Sequence, residues 1–203
     1  MREYRVKKVT GEPNWESLPF LSIDIPYETT PPDISAYAQV CYNDEELLVH
    51  LFCEEPYTRA EETGPLASPC VDSCLEFFFS PDDGDHRYFN IEFNSLGAAY
   101  LGFGNTSVKD LVRLLPVKGS VSELLNAKIN KYEGGWEIFY RVPYSFIRRF
   151  FKDFKVYEGK VMRANCYKCS DYTTPPHYLA WNDVGGEPLS FHRPNCFGRM
   201  IFE

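Results

Sequence analysis

The chain has 203 residues, with 29 acidic against 21 basic side chains, a formal net charge of −8 and a pI near 5.1. An acidic balance without clustered Lys and Arg excludes a phosphate-tracking nucleic-acid binder, and no apolar run approaches the roughly 18 residues of a membrane span. Hydrophobic residues at 44% and charged residues at 25% exclude a disordered chain, and the length fits one domain over residues 1–203 that folds without needing metal or disulfide.

The first eight residues, Met1 to Lys8, alternate charged and apolar side chains and lack the apolar stretch of a secretory signal. Seven cysteines is an odd number, so a closed disulfide framework is not expected. A reduced, cytoplasmic monomer is the expectation; removal of a leader would leave the same sequence in an extracellular protein.

From there the recurring period is two. Ala38 to Tyr42 and Leu47 to Phe52 form strands around the turn Asn43-Asp44-Glu45-Glu46. Leu75 to Phe79, Tyr88 to Phe93, Trp136 to Val142 and Val161 to Tyr167 continue the series, separated by turn signals such as Pro81-Asp82-Asp83-Gly84 and Gly134-Gly135. Pro143 opens a short helix whose apolar face is Phe146, Ile147 and Phe150. Many short strands with one short helix predict an all-β fold, an antiparallel β-sandwich of immunoglobulin or jelly-roll type. The stretches 54–71, 103–127 and 170–195 are long and irregular, and loops of that length tend to carry function.

Alternation sorts the strand residues into faces. Phe89, Ile91 and Phe93 face one way, with Tyr88, Asn90, Glu92 and Asn94 opposite. A hairpin across Pro81 to His86 places Glu76 and Asn90 on one polar face, where carboxylate and amide groups beside tyrosines suit sugar hydroxyls; a solvated outer face is the simpler alternative. Trp136 alternates with Ile138 and Tyr140 and belongs to the core. Trp181 lies in a polar loop, where its ring can stack on a pyranose or anchor the loop.

The same residues allow two other chemistries. Cys166-x2-Cys169 and Cys70-x3-Cys74, with His177 and His192, suggest zinc, but strand residues three apart point to opposite faces, which favours buried, inert thiols. Glu76 and Glu92 on one face have the makings of a glycosidase acid–base pair.

Several motifs occur in a fixed order: Asp72-Ser73-Cys74-Leu75-Glu76, Tyr88 to Asn94, Asn165 to Asp171, Pro176-His177-Tyr178-Leu179-Ala180-Trp181, and Phe191-His192-Arg193-Pro194-Asn195-Cys196-Phe197-Gly198. In this order, from about Ala38 onward, the chain resembles the family 9 carbohydrate-binding modules, in a stand-alone family 9-like branch. The resemblance implies a β-sandwich that binds a mono- or oligosaccharide without cleaving it, in the service of polysaccharide breakdown. It implies Trp181 as a stacking wall and Glu76 as a hydroxyl acceptor, with structural calcium in the xylanase-attached members. The loop directly before Asp72, Pro65 to Val71, holds no tryptophan to supply a second wall, so a one-sided platform is expected. Around it, Asn90, Lys168 and Tyr88 are expected to contact hydroxyls, with His177 and His192 at the rim. The same superfold resembles haem-binding domains, for which Met162, His177 and His192 are the available ligands.

Overall fold

The protein is described by a computed structural model covering residues 1–28, 30–105 and 110–203. Its strands are β1 (Glu3–Lys8), β2 (Leu21–Ile23), β3 (Ile25–Tyr27), β4 (Ser35–Tyr42), β5 (Glu46–Glu54), β6 (Cys74–Ser80), β7 (Tyr88–Asn94), β8 (Ala99–Gly104), β9 (Val112–Arg113), β10 (Lys128–Tyr132), β11 (Gly135–Pro143), β12 (Val161–Ser170), β13 (His177–Ala180) and β14 (Gly198–Phe202). They join in the order β10-β11-β5-β4-β1-β14-β12-β6-β7-β8-β9, with β2 on β4 and β13 bridging β12 to β3. No helix among the described residues is long and apolar enough to cross a membrane.

The hairpins form where the turn residues predict them. Asn43 Oδ1 accepts from the backbone N–H groups of Glu45 and Glu46 at 2.8 and 2.9 Å, closing the β4–β5 turn that sets Tyr42 opposite Leu47. Gly134 turns β10 into β11 at φ +82, and a Cβ on Gly135 would lie 2.2 Å from the Cys53 carbonyl, so both positions require glycine. Pro143 caps α2 (Tyr144–Ile147), as predicted.

The expected all-antiparallel sheet gives way to a curled mixed one. β1 runs parallel to both of its neighbours, pairing Glu3 to Val6 with β14 and Lys7 and Lys8 with β4. A second helix, α1 (Val121–Leu124), also forms. Ser120 accepts from the Glu123 N–H while the Glu123 carboxylate accepts from the Ser120 N–H, a capping box written in Ser120-x-x-Glu123. The stretch 103–127 therefore holds β9 and α1, with 106–109 outside the described residues.

One large core lies against one face of the sheet. Leu75, Phe77 and Phe79 of β6 and Phe89, Ile91 and Phe93 of β7 share it with Val49 and Leu51 of β5 and Trp136, Ile138 and Tyr140 of β11. β6 and β7 are buried along their whole length, so their opposite face is covered too. A second cluster of Phe78, Tyr88, Tyr167, Ala180, Val184 and Phe197, with Leu189 and Phe191 packed against it, covers that face. The 183–197 loop thus lies over the polar side of the sheet and leaves a cavity beneath its edge.

Candidate functional site

The cavity of about 420 Å³ sits on the outer face of β6, β7, β12 and β13, under the Leu189–His192 segment. Glu76 and Glu92 form its floor, because they are direct cross-strand partners and alternation points both away from the core. Cys169, Asp171, Tyr178, Phe191 and His192 line its walls, with the Tyr178 hydroxyl donating to Asp171 at 3.1 Å. Phe191 lies flat on Tyr167, with ring centroids 4.1 Å apart and planes 9° from parallel. The volume falls in the range of about 300–1,000 Å³ usual for small-molecule sites.

The floor is electrostatically unusual. Burial and the neighbouring Glu92 charge push Glu76 well above the usual carboxylate range. Burial likewise raises Glu92, to about 7, although the Asn90 amide donates to it at 2.9 Å. Asp171 is raised by burial as well. Burial lowers His192 to about 4, so it is neutral at pH 7, with its Nδ1 2.8 Å from the Tyr88 hydroxyl. A protonated acid donates a hydrogen bond and an ionised one accepts, so acids raised in this way suit hydroxyl groups, beside an apolar ring surface.

Of the residues expected from the sequence, the structure brings Glu76, Asn90, Tyr88 and His192 together on this face. Trp181, Lys168 and His177 lie on the other side of the sheet. The loop expected from Ser170 onward contains β13, and its alternation continues one residue further: His177, Leu179 and Trp181 point inward, Tyr178 and Ala180 outward. Trp181 is 3% exposed in the main core, so it offers no open stacking platform. Its N–H donates to the Cys166 carbonyl at 3.0 Å, extending the β12 pairing past the strand's end.

Lys168 pairs in register with core-facing Leu75 and is 0% exposed. Its ammonium lies 2.9 Å from Glu55 Oε2 and 2.7 Å from His177 Nε2. Burial opposes the ammonium, yet the Glu55 charge outweighs it and leaves Lys168 above its ordinary pKa. Glu55 Oε1 also accepts from the Trp136 indole at 2.9 Å. These groups pair with one another inside the protein and do not line the cavity. Nor are the three haem-ligand candidates gathered: Met162 is in the core, His177 is held by Lys168 and His192 faces Tyr88.

His177 has a consequence for pH. Burial, then the Lys168 charge, lowers its folded-state pKa to about 3, against about 6.5 for an unfolded histidine. Its contribution is fully present above pH 6.5 and is lost as pH falls toward 3, because the unfolded chain then binds the extra proton. Unfolding free energies measured by urea titration between pH 7 and 4 are expected to fall less steeply for His177→Gln than for the native protein. Equal slopes would contradict this.

Asp72 was not identified as a functional position, yet it organises the cavity's flank. It pairs with Arg59, accepts from the Glu61 and Glu62 N–H groups at 2.9 and 2.8 Å, and accepts from the Asn94 amide at 2.8 Å. Ser73 Oγ accepts from the Arg59 N–H at 2.9 Å. The first two residues of Asp72-Ser73-Cys74-Leu75-Glu76 therefore pin the 54–71 loop, and the last supplies the floor. Asp72→Ala leaves several buried donors unpartnered and is expected to cost about 2–4 kcal/mol, read as a lower urea midpoint at unchanged m-value; a shift of less than about 0.5 kcal/mol would contradict it. Tyr178 and Phe191 were also missed as wall residues. Alternation from His177 identifies Tyr178, whereas Phe191 lies in a loop with no periodicity to place it.

Calcium sites are built on several carboxylate and carbonyl oxygens. Among the described residues no three carboxylates converge; the one group of three metal-competent side chains within 4.8 Å is Cys74, Glu76 and Cys169. That donor set does not fit structural calcium.

The profile of carbohydrate-binding family 9 matches residues 14–202. No curated protein sequence matches the chain. A proposed carbohydrate-binding protein from Bacteroides uniformis ATCC 8492 superposes with a TM-score of 0.78 at 26% identity, covering 100% of this chain and 99% of the other. A family 9 module from Caldicellulosiruptor kristjanssonii solved with glucose gives 0.71 at 12% identity, covering 100% and 96%. The same organism's module with cellotriose gives 0.72 at 12%, covering 100% and 94%. With 189 of its 203 residues inside the matched span, the chain belongs to carbohydrate-binding family 9.

Proposed function

We propose that residues 1–203 act as a single non-catalytic saccharide-binding unit, whose ligand occupies the cavity over β6, β7, β12 and β13. The observation that carries this reading is the Glu76–Glu92 floor: two buried acids without an ion pair among the described residues, in a cavity walled by Phe191 and Tyr178. Acids held partly protonated serve hydroxyl groups, and a fixed ring serves the C–H face of a pyranose. The aromatic surface in this reading is Phe191 with Tyr178 rather than Trp181. Structures of family members with glucose and cellotriose support a gluco-configured ligand. The role that follows is to hold carbohydrate for its breakdown by another protein.

Sugar sites lose much of their gain in desolvating hydroxyls, so the dissociation constant is expected between about 1 mM and 1 µM. Calorimetric titration with glucose, cellobiose and cellotriose tests the reading. Phe191→Ala and Glu76→Gln are each expected to weaken binding about tenfold or more, while Tyr157→Ala, far from the cavity, leaves it unchanged. Unaltered affinity in both folded cavity variants would overturn the placement.

A further inference from the structure

The cysteine pairs left unassigned by saccharide binding are rearranged by the fold in a way their spacing conceals. Cys166 points into the core, as strand alternation requires. Cys169, three residues on, faces outward and is the direct cross-strand partner of Cys74. Glu76, two residues beyond Cys74 on the same face, brings its Oε1 to 2.9 Å from Cys169 Sγ. One ligand atom from each of the three lies within 4.8 Å of the others, and all three side chains are buried. Glu76 and Cys169 also open onto the cavity, whose lining carries the further carboxylates of Glu92 and Asp171.

We propose that Cys74, Cys169 and Glu76 form a site for a thiophilic divalent metal of the zinc class, with its remaining coordination position open to the cavity. Two thiolates and a carboxylate are a zinc donor set, and three protein ligands plus one open position is the geometry of sites that hold an exchangeable water. Zinc bonds to such ligands are roughly 2.0–2.3 Å long, a span compatible with donor atoms grouped within 4.8 Å of one another. Both thiol protons, and any proton held on Glu76, leave to solvent as the metal enters, and Glu92 and Asp171 add carboxylates beside it. The site shares the cavity with the proposed saccharide but does not rest on that reading.

The test uses the reduced, sugar-free native protein, titrated with Co²⁺ as a spectroscopic probe and then with Zn²⁺. A thiolate-to-cobalt charge-transfer band with d–d bands of tetrahedral intensity is expected, reaching one equivalent and disappearing on addition of zinc. Cys169→Ser and Cys74→Ser should each lose the charge-transfer intensity, Glu76→Gln should weaken cobalt binding, and Cys41→Ala should retain the native spectrum. Circular dichroism of each variant separates loss of the site from loss of the fold. No band in the native protein, or a full band in folded Cys169→Ser, would overturn the proposal whatever the outcome of the saccharide titrations.

Discussion

Replacing Lys168 by Met is expected to lower the unfolding free energy by about 3–5 kcal/mol, the cost of leaving a buried carboxylate without its partner. Lys168 and Glu55 are both fully buried, 2.9 Å apart. The Trp136 indole is then the remaining strong donor to Glu55, while His177 Nε2 loses the ammonium that donates to it. Urea unfolding measures the loss. The double variant Lys168→Met/Glu55→Gln should recover a substantial part, because removing both charges removes the stranded one. A single variant within about 0.5 kcal/mol of native would show that the pair carries no such burden.

Trp181→Ala is expected to cost about 3–5 kcal/mol, as for other large aromatic truncations in cores. The surroundings are tightly packed: a Cβ on Gly198 would lie only 2.8 Å from the Trp181 ring. A stacking residue on an open loop predicts the reverse pattern, abolished binding with a nearly unchanged melting temperature. The two accounts separate cleanly in one thermal melt and one titration. A melting temperature equal to the native value would refute core burial.

Much of the architecture was legible because period-two alternation is strong in long strands. Leu75 to Phe79, Tyr88 to Phe93 and Trp136 to Val142 all form strands whose predicted faces hold. The short strands β2, β3, β9 and β13 were not, since runs of two to four residues carry too little periodicity to stand out from loops. The parallel pairing of β1 depends on contacts across nearly the whole chain, Glu3 with Arg199 for example, which no local pattern encodes.

The site divides along the same line. Glu76, Asn90 and Tyr88 share the outward face that alternation predicts, because each lies in a long strand. Trp181 reads as a platform by its chemistry, a large ring among polar residues, yet the alternation His177, Leu179, Trp181 carries it into the core. Lys168 was misplaced for a related reason: a lysine in a strand suggests solvent, and its partner Glu55 lies 113 positions away in sequence. Buried charge is legible only once both partners are seen.

The most direct test of saccharide binding in this cavity is chemical-shift mapping of the ¹⁵N-labelled native protein during titration with cellotriose. Saturable shifts centred on Tyr178, Phe191, His192, Glu92 and Asp171, with Trp181 and Lys168 among the less perturbed residues of β12 and β13, are the predicted result. Saturable shifts centred elsewhere, or no shifts at millimolar cellotriose and glucose, would contradict the account.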